Sequence, residues 1–237
     1  MQEYKVRLRE KVVRTGSVTS FRFSAGERIN FEPGQFLELV FDTADRKNRQ
    51  LNKYLSFSSS PTKDYIEVTK RLSGSEFSGR LNALKENDEV IIKAPLGNCV
   101  FKEAYRKIWF LIGGIGITPV ISILEFIVEK ELNNDAVLLY SNRTENDIAF
   151  RQELDRWQRM RPNIKAHYTV SDCEPKDNVC IKGHINKDIM QAKITDIGER
   201  VVFIFGPPGM VKAMSGLCAE IGCDKENIKT ESFLGYE

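Results

Sequence analysis

The stretch Ile108-Trp109-Phe110-Leu111-Ile112-Gly113-Gly114-Ile115-Gly116-Ile117-Thr118-Pro119 decides the fold class of this chain. Its first five residues form a continuous apolar run, which is typical of a strand buried on both faces of a parallel sheet. The glycines permit a tight turn, and Thr118 and Pro119 suit the N-cap and the first position of a following helix. The apolar run breaks too early for a membrane-spanning helix, so we predict no integral membrane segment.

Strands and helices alternate along the rest of this half of the chain. The predicted strands are Ala136–Tyr140, Ala166–Val170, Val201–Phe205 and Ile228–Glu231, and the predicted helices are Pro119–Lys130, Phe150–Met160, Asn186–Gln191 and Met210–Glu220. This alternation predicts a doubly wound parallel sheet of the Rossmann-like kind, in which ligands bind beyond the carboxyl ends of the strands. A second glycine turn, Gly206-Pro207-Pro208-Gly209-Met210, follows a later strand, and two such turns together predict a nucleotide site.

The first half of the chain reads as β structure. Short branched or aromatic runs with a period of two, such as Val18–Phe23 and Gln35–Phe41, are separated by turn residues and predict an antiparallel sandwich or barrel. One short helix interrupts them, with Ser75 as its N-cap and Ser78 in its first turn, and such a helix start can bind an anion. Because the rhythm changes near residue 104, we predict two domains, residues 1–103 and residues 104–237.

Charge and composition exclude several classes of function. The 35 basic and 33 acidic residues leave a net charge of +2, which gives little long-range attraction to nucleic acid or anionic lipid, and we predict no nucleic-acid partner. There are two histidines, and the five cysteines form no C-x-x-C spacing, so we predict no metal site and no iron–sulfur cluster within the chain. The odd cysteine number, with no recognisable secretory leader, predicts reduced thiols and a cytoplasmic location.

Several motifs in this order resemble the ferredoxin–NADP reductase superfamily. They are Pro33–Phe36 (PGQF), Lys53–Pro61 (KYLSFSSSP), Gly74–Ser78 (GSEFS), Pro95–Gly97 (PLG), Gly113–Pro119 (GGIGITP), Ser141–Thr144 (SNRT), Gly206–Met210 (GPPGM) and Glu231–Phe233 (ESF). The resemblance implies a Greek-key antiparallel barrel that binds FAD, with FMN less favoured, followed by a domain that binds NAD(P)H.

The activity implied by the resemblance is that of a flavin-dependent oxidoreductase. A hydride would pass between NAD(P)H and flavin N5, and single electrons would pass to or from a separate carrier such as ferredoxin, an iron–sulfur protein. Three alternatives stay open: an electron-transfer subunit of a larger redox complex, a reductase of free flavin or ferric iron, and a nucleotide-binding module without flavin.

The resemblance also assigns candidate site residues. Ser56, near flavin N5, and Glu231, near the redox centre, are the catalytic candidates. The flavin-binding candidates are Lys53, Tyr54, Leu55, Gly74, Ser75, Phe77, Ser78, Phe233 and Tyr236, the last of which would cover the flavin face. The nucleotide candidates are Gly114, Gly116, Thr118, Asn142, Arg143, Gly206, Pro207 and Met210, with Thr118 beside the nicotinamide and Arg143 at the adenosine end.

Three positions depart from the family pattern. Lys53 stands where arginine is usual, Leu55 where a tyrosine packs on the flavin, and Phe205 where a cysteine is often found. Tyr54 would point to the opposite face of a strand from Leu55, and core packing explains Tyr54, Leu55 and Phe205 as well as a cofactor role does. The choice between NAD and NADP stays open, although Arg143 favours a 2′-phosphate.

Overall fold

The computed structural model describes residues 2–176 and 179–233. The first half contains strands and one helix: β1 Gln2–Val13, β2 Val18–Ala25, β3 Phe36–Val40, β4 Asn52–Ser56, β5 Ile66–Arg71, α1 Glu76–Ala83 and β6 Glu89–Leu96. Strands and helices alternate through most of the second half: β7 Lys107–Gly113, α2 Ile117–Glu129, β8 Asp135–Asn142, α3 Arg151–Met160, β9 Ile164–Val170, β10 Cys180–Lys182, α4 Lys187–Lys193, β11 Val201–Gly206, α5 Pro208–Glu220 and β12 Ile228–Ser232.

The chain divides into two compact units. The first comprises the residues up to Phe101 together with Thr118–Glu129, and the second comprises Lys102–Ile117 and the residues from Lys130 onward. Most of α2 therefore clusters with the first unit, although it lies between two strands of the second unit in sequence. The domain boundary between residues 103 and 104 stays a prediction.

The first unit is an antiparallel barrel. Its strands lie in the order β4-β3-β6-β1-β2-β5, and a bridge between Phe57 and Val68 joins the two edges. Alternate residues such as Leu37, Leu55 and Val68 face an apolar core, which Phe77 of α1 completes. The antiparallel barrel predicted from the period-two runs is confirmed.

The second unit is a parallel sheet with helices. Its strands lie in the order β10-β9-β8-β7-β11-β12, and every pair in it is parallel. The central strands β7 and β11 are almost wholly buried, as the continuous apolar run at Ile108–Ile112 predicted. The doubly wound architecture is confirmed.

The start of α2 differs from the prediction. Thr118 is not its N-cap, because the helix begins at Ile117, directly after a 3-10 turn over Gly114–Gly116. The amide of Ile117 donates to the carbonyl groups of that turn, so the main chain already spirals before Thr118. Pro119 is consequently the third residue of the helix, where its missing N–H still costs no internal hydrogen bond.

Among the described residues, no helix combines the length and the apolar character that crossing a bilayer requires.

Candidate cofactor-binding sites

Strand β4 carries the first group of candidate residues, and it places Tyr54 and Leu55 on opposite faces. Leu55 is buried in the barrel core, so the core-packing interpretation of Leu55 is confirmed. The same interpretation of Tyr54 is wrong, since 50% of its surface is exposed. The Arg49 guanidinium lies 4.8 Å from the ring centroid of Tyr54 and donates to its hydroxyl oxygen over 2.8 Å.

The hydroxyl of Ser56 is the most informative polar group of the first unit. Its Oγ is fully buried and has no hydrogen-bond partner among the described residues. A buried hydroxyl without a partner costs about 1–3 kcal/mol, and such groups are rare in folded proteins. The position therefore fits a ligand that supplies the missing hydrogen bond, as the predicted contact with flavin requires.

The N-terminus of α1 forms a cluster of serine hydroxyls. Ser75 is the N-cap as predicted, and its Oγ accepts a hydrogen bond from the Ser78 amide over 3.3 Å. The Oγ of Ser78 lies 3.0 Å from that of Ser75 and 3.2 Å from that of Ser73, so this hydroxyl already has protein partners. Gly74 faces open space, which leaves room for a phosphate at the helix start.

Phe77 lies in the core beneath this helix start. Its ring is fully buried and packs edge-on against Phe41, with centroids 5.3 Å apart. The side chain seats α1 on the barrel, so the predicted cofactor contact at Phe77 is available only to its main-chain atoms.

Lys70 is a candidate that the sequence analysis did not single out. Burial, and then the nearby charge of Lys53, lower the pKa of Lys70 to about 8. Its ammonium group lies 5.9 Å from the ring centroid of Phe77, at the base of α1. Two neighbouring ammonium groups favour a bound anion such as a diphosphate, because an opposite charge stabilises the charged form of both lysines. The available signal was the run Tyr65–Lys70, in which apolar and polar residues alternate and which ends in this lysine.

The first glycine turn of the second unit is required by packing. Gly114 has a φ of +52°, which favours glycine. A Cβ on Gly116 would lie 2.3 Å from the carbonyl oxygen of Phe205, so no larger residue fits there without moving β11. Phe205 itself is fully buried, which confirms its core-packing interpretation.

The second glycine turn lies beside the first. Pro207 directly precedes α5, and Met210 lies in the first turn of that helix. The Met210 sulfur packs so close to both turns that a Cβ added to Gly113 would lie 2.2 Å from it, and a Cβ added to Gly206 would lie 3.1 Å from it. The two turns thus meet at the carboxyl ends of adjacent strands β7 and β11, where the fold places ligands.

Asn142 and Arg143 follow at the end of the neighbouring strand β8. Asn142 is buried, and both polar atoms of its amide lack a hydrogen-bond partner among the described residues. Arg143 is exposed. A buried amide with both functions open and an exposed guanidinium beside it fit a polar ligand better than a closed core.

The C-terminal candidates lie along β12. Glu231 pairs with Phe205 in the register of β11 and β12, and its Oε2 is buried without a partner among the described residues. Burial raises the pKa of Glu231 to about 7. The amide of Phe233 donates to the carbonyl oxygen of Gly206 over 3.0 Å, whereas Tyr236 lies outside the described residues.

The described cysteines and acidic side chains do not come together as a set of metal ligands. In the described part of the chain, no cysteine forms a disulfide. Within residues 2–176 and 179–233, no group of three or more His, Cys, Asp and Glu side chains is arranged to hold a metal ion.

Known proteins match both units. Residues 5–101 match the family described as "Oxidoreductase FAD-binding domain", and residues 110–216 match "Oxidoreductase NAD-binding domain". NADH-cytochrome b5 reductase 1 of Dictyostelium discoideum is 28% identical over 237 residues, which cover 97% of this chain and 82% of that protein. The glycine betaine monooxygenase reductase subunit of Pseudomonas aeruginosa is 31% identical, over 96% of this chain but only 63% of that protein.

Solved structures share the fold. The FAD/NAD-binding domain of nitric oxide dioxygenase from Vibrio cholerae superimposes with a TM-score of 0.86 at 20% identity, covering 97% of this chain and 98% of that one. Ferredoxin-NADP+ reductase from Plasmodium falciparum gives a TM-score of 0.77 at 19% identity, covering 98% and 96%. Together with the two family matches, the motif order and the architecture, these likenesses establish that the chain belongs to the ferredoxin–NADP reductase superfamily and carries binding domains for FAD and for NAD(P)H.

Proposed function

We propose that this protein is a flavin-dependent NAD(P)H oxidoreductase that exchanges single electrons with a separate carrier. The observation that carries the proposal is the buried, unpartnered hydroxyl of Ser56 within a region that matches an FAD-binding family, on the same chain as an NAD-binding region. FAD, when bound, accepts a hydride from NAD(P)H and releases its two electrons one at a time.

Different residues of the first unit bind different parts of FAD. Lys53 and Lys70 offer positive charge to the diphosphate, and the first amides of α1, next to Gly74 and Ser75, offer N–H groups. Ser56 donates or accepts a hydrogen bond at the flavin ring. Leu55 packs in the core instead of on the ring, so the exposed aromatic face of Tyr54 takes the place of the usual tyrosine.

The residues of the second unit hold the nucleotide. The turns at Gly114 and at Gly206-Pro207 admit a pyrophosphate because they carry no side chain in its path. The Asn142 amide and the Arg143 guanidinium bind the adenosine end. Met210 supports both turns through its sulfur.

Glu231 is the proposed proton-handling group. A carboxyl with a pKa of about 7 exchanges its proton readily near neutral pH, which suits reactions in which electrons and protons move together. An ordinary exposed glutamate, with a pKa near 4.3, would be ionised throughout this range.

The carrier is proposed to be an iron–sulfur protein in the cytoplasm. The absence of a C-x-x-C spacing motivates an external relay, since electrons that enter as a hydride must leave through a partner. The names of two relatives give specific acceptors to test, cytochrome b5 and an oxygenase component.

A role as a reductase subunit is the second candidate. The 31% identity to a protein named as a monooxygenase reductase subunit favours it. In that case the isolated chain would reduce artificial acceptors but no free ferredoxin or cytochrome.

The test is an absorption spectrum of the purified protein, followed by anaerobic addition of NADH and then of NADPH. Bleaching of a bound flavin supports the proposal and ranks the two nucleotides. Ferredoxin, cytochrome b5, ferricyanide, free flavin and a ferric chelate are then offered as acceptors, which separates the free reductase, the subunit and the free-flavin or ferric reductase. A protein that stays colourless with FAD and with FMN overturns the proposal.

A further inference from the structure

Helix α2 is hydrogen-bonded to the main chain of the segment that follows β4. Ser122 Oγ donates to the carbonyl oxygen of Ser59 over 2.7 Å, and the Ser60 amide donates to Glu125 Oε2 over 2.7 Å. The Ser122 side chain is fully buried. The Glu125 carboxylate also pairs with Lys63 over 3.3 Å, and burial raises the pKa of Glu125. Hydrogen bonds to a charged acceptor are about twice as strong as neutral ones.

Thr118 lies on the same face of α2 as the two bonded side chains. Thr118, Ser122 and Glu125 are spaced by four and three residues, which places them on the same face of the helix. Thr118 therefore lies one turn before Ser122, on the face that meets Ser59 and Ser60. These serines in turn follow Ser56 by only three and four residues.

The segment after β4 is also anchored on its barrel side. Ser58 Oγ donates to Glu67 over 3.1 Å, and Ser59 Oγ accepts from the Glu67 amide over 2.9 Å. Phe57 donates its amide to Gln35 and bridges to Val68. These contacts hold the segment in place on the barrel. The hydrogen bonds from α2 are therefore made to a well-anchored part of the chain.

We propose that Ser122 and Glu125 are positioning residues for hydride transfer, because their two bonds to residues 59–60 fix Thr118 relative to Ser56. The inference rests on the proposed function, with Ser56 beside the flavin, and on the position beside the nicotinamide that the family resemblance implies for Thr118. The transferred hydride leaves the nicotinamide C4 and bonds to flavin N5, with NAD(P)⁺ and reduced flavin as products. A displacement of about 1 Å between reacting groups can lower a rate by about 100-fold.

The test compares Ser122→Ala and Glu125→Ala with two controls in the FAD-loaded protein. Glu125→Gln keeps an oxygen that can accept from the Ser60 amide and should rescue the function. Glu129→Gln removes a carboxylate one turn further along, which bonds the side chains of Ser60, Thr62 and Lys63, whereas the Ser60 amide donates to Glu125. The limiting rate of flavin reduction at saturating NADH or NADPH is measured by stopped-flow absorbance.

We expect the limiting rate to fall about tenfold or more in Ser122→Ala and Glu125→Ala, and to stay within about twofold of wild type in both controls. The affinity for FAD and the nucleotide concentration at half-saturation should not change. In the apoprotein, amide hydrogen exchange over residues 57–63 should accelerate in Glu125→Ala and not in Glu129→Gln.

The outcomes separate the two proposals. If wild type is reduced and the alanine variants are reduced equally fast, the positioning role is overturned while the proposed function stands. An equal loss of the reduction rate or of bound FAD in all variants, Glu129→Gln included, also overturns the positioning role. That result would mean that the substitutions loosen the packing of α2 in general. If neither nucleotide reduces the wild-type flavin, the proposed function fails, and exchange over residues 57–63 still decides whether Glu125 holds the segment. Should Glu125→Ala not fold, Ser122→Ala, which removes one hydroxyl, decides the question.

Discussion

Replacing Glu231 with glutamine is expected to stabilise the folded protein at alkaline pH and to leave its stability almost unchanged in mild acid. The Oε2 atom of Glu231 is buried without a partner among the described residues, and burial raises its pKa from 4.5 to about 7. Between these two values the folded state holds a proton that the unfolded state has lost, so the free energy of unfolding falls as pH rises. At about 1.36 kcal/mol per pH unit, the loss reaches about 3 kcal/mol once pH exceeds 7. Glutamine at this position carries no charge and escapes that cost.

The assay is urea unfolding of the apoprotein, with wild type and Glu231→Gln compared at about pH 5 and about pH 8.5. The difference between the two proteins cancels the titration of all other groups. Because β12 is an edge strand that can open locally, about 3 kcal/mol is an upper value for the gain at the higher pH. A difference in unfolding free energy that does not change with pH would refute the reasoning, since it would mean that Glu231 titrates normally.

Three further predictions follow from the two units. The affinity for FAD should fall as pH rises through about 8, because the pKa of Lys70 is about 8 and its charge is lost there; Lys70→Met should bind FAD about tenfold more weakly at neutral pH and show a flatter profile in a fluorescence titration. Gly116→Ala should cost about 1–3 kcal/mol in urea unfolding because its Cβ would lie 2.3 Å from the carbonyl oxygen of Phe205, whereas Gly209→Ala, which meets no atom within 4 Å, should be neutral or slightly stabilising. Arg143→Ala should lower kcat/KM for NADPH about tenfold and for NADH much less, and equal losses for both nucleotides would contradict a contact with the 2′-phosphate.

The fold could be predicted from sequence wherever one local pattern specified one environment. The run Ile108–Ile112 is apolar at every position, and β7 is buried on both faces. The period-two runs of the first half encode a surface with one apolar face, and the barrel uses that face as its core. In both places the spacing of apolar residues directly specifies which faces of the strand are buried. Few other folds would satisfy the same spacing.

The polar contacts could not be predicted, because they depend on residues far apart in the chain. The bond between Ser60 and Glu125 joins residues separated by 65 positions, and nothing local distinguishes Glu125 from a solvated helix glutamate. The capping role of Thr118 was wrong for a related reason. A threonine before a proline favours an N-cap, but the 3-10 turn of the preceding glycines had already started the helix.

The glycine turns show that the presence of a glycine motif does not by itself imply a bound ligand. Gly116 is required by the approach of the Phe205 carbonyl group, so a sequence would retain this glycine for packing even without a nucleotide. The stronger argument for ligands comes from Ser56 and Asn142, whose buried polar atoms have no hydrogen-bond partner among the described residues. A buried polar group without a partner lowers the stability of the fold by about 1–3 kcal/mol, so its presence needs an explanation such as a ligand. A glycine that packing requires needs no such explanation. Ser56 lies in the region matched to FAD binding and Asn142 in the region matched to NAD binding, so a cofactor bound to each region would be placed to complete these hydrogen bonds.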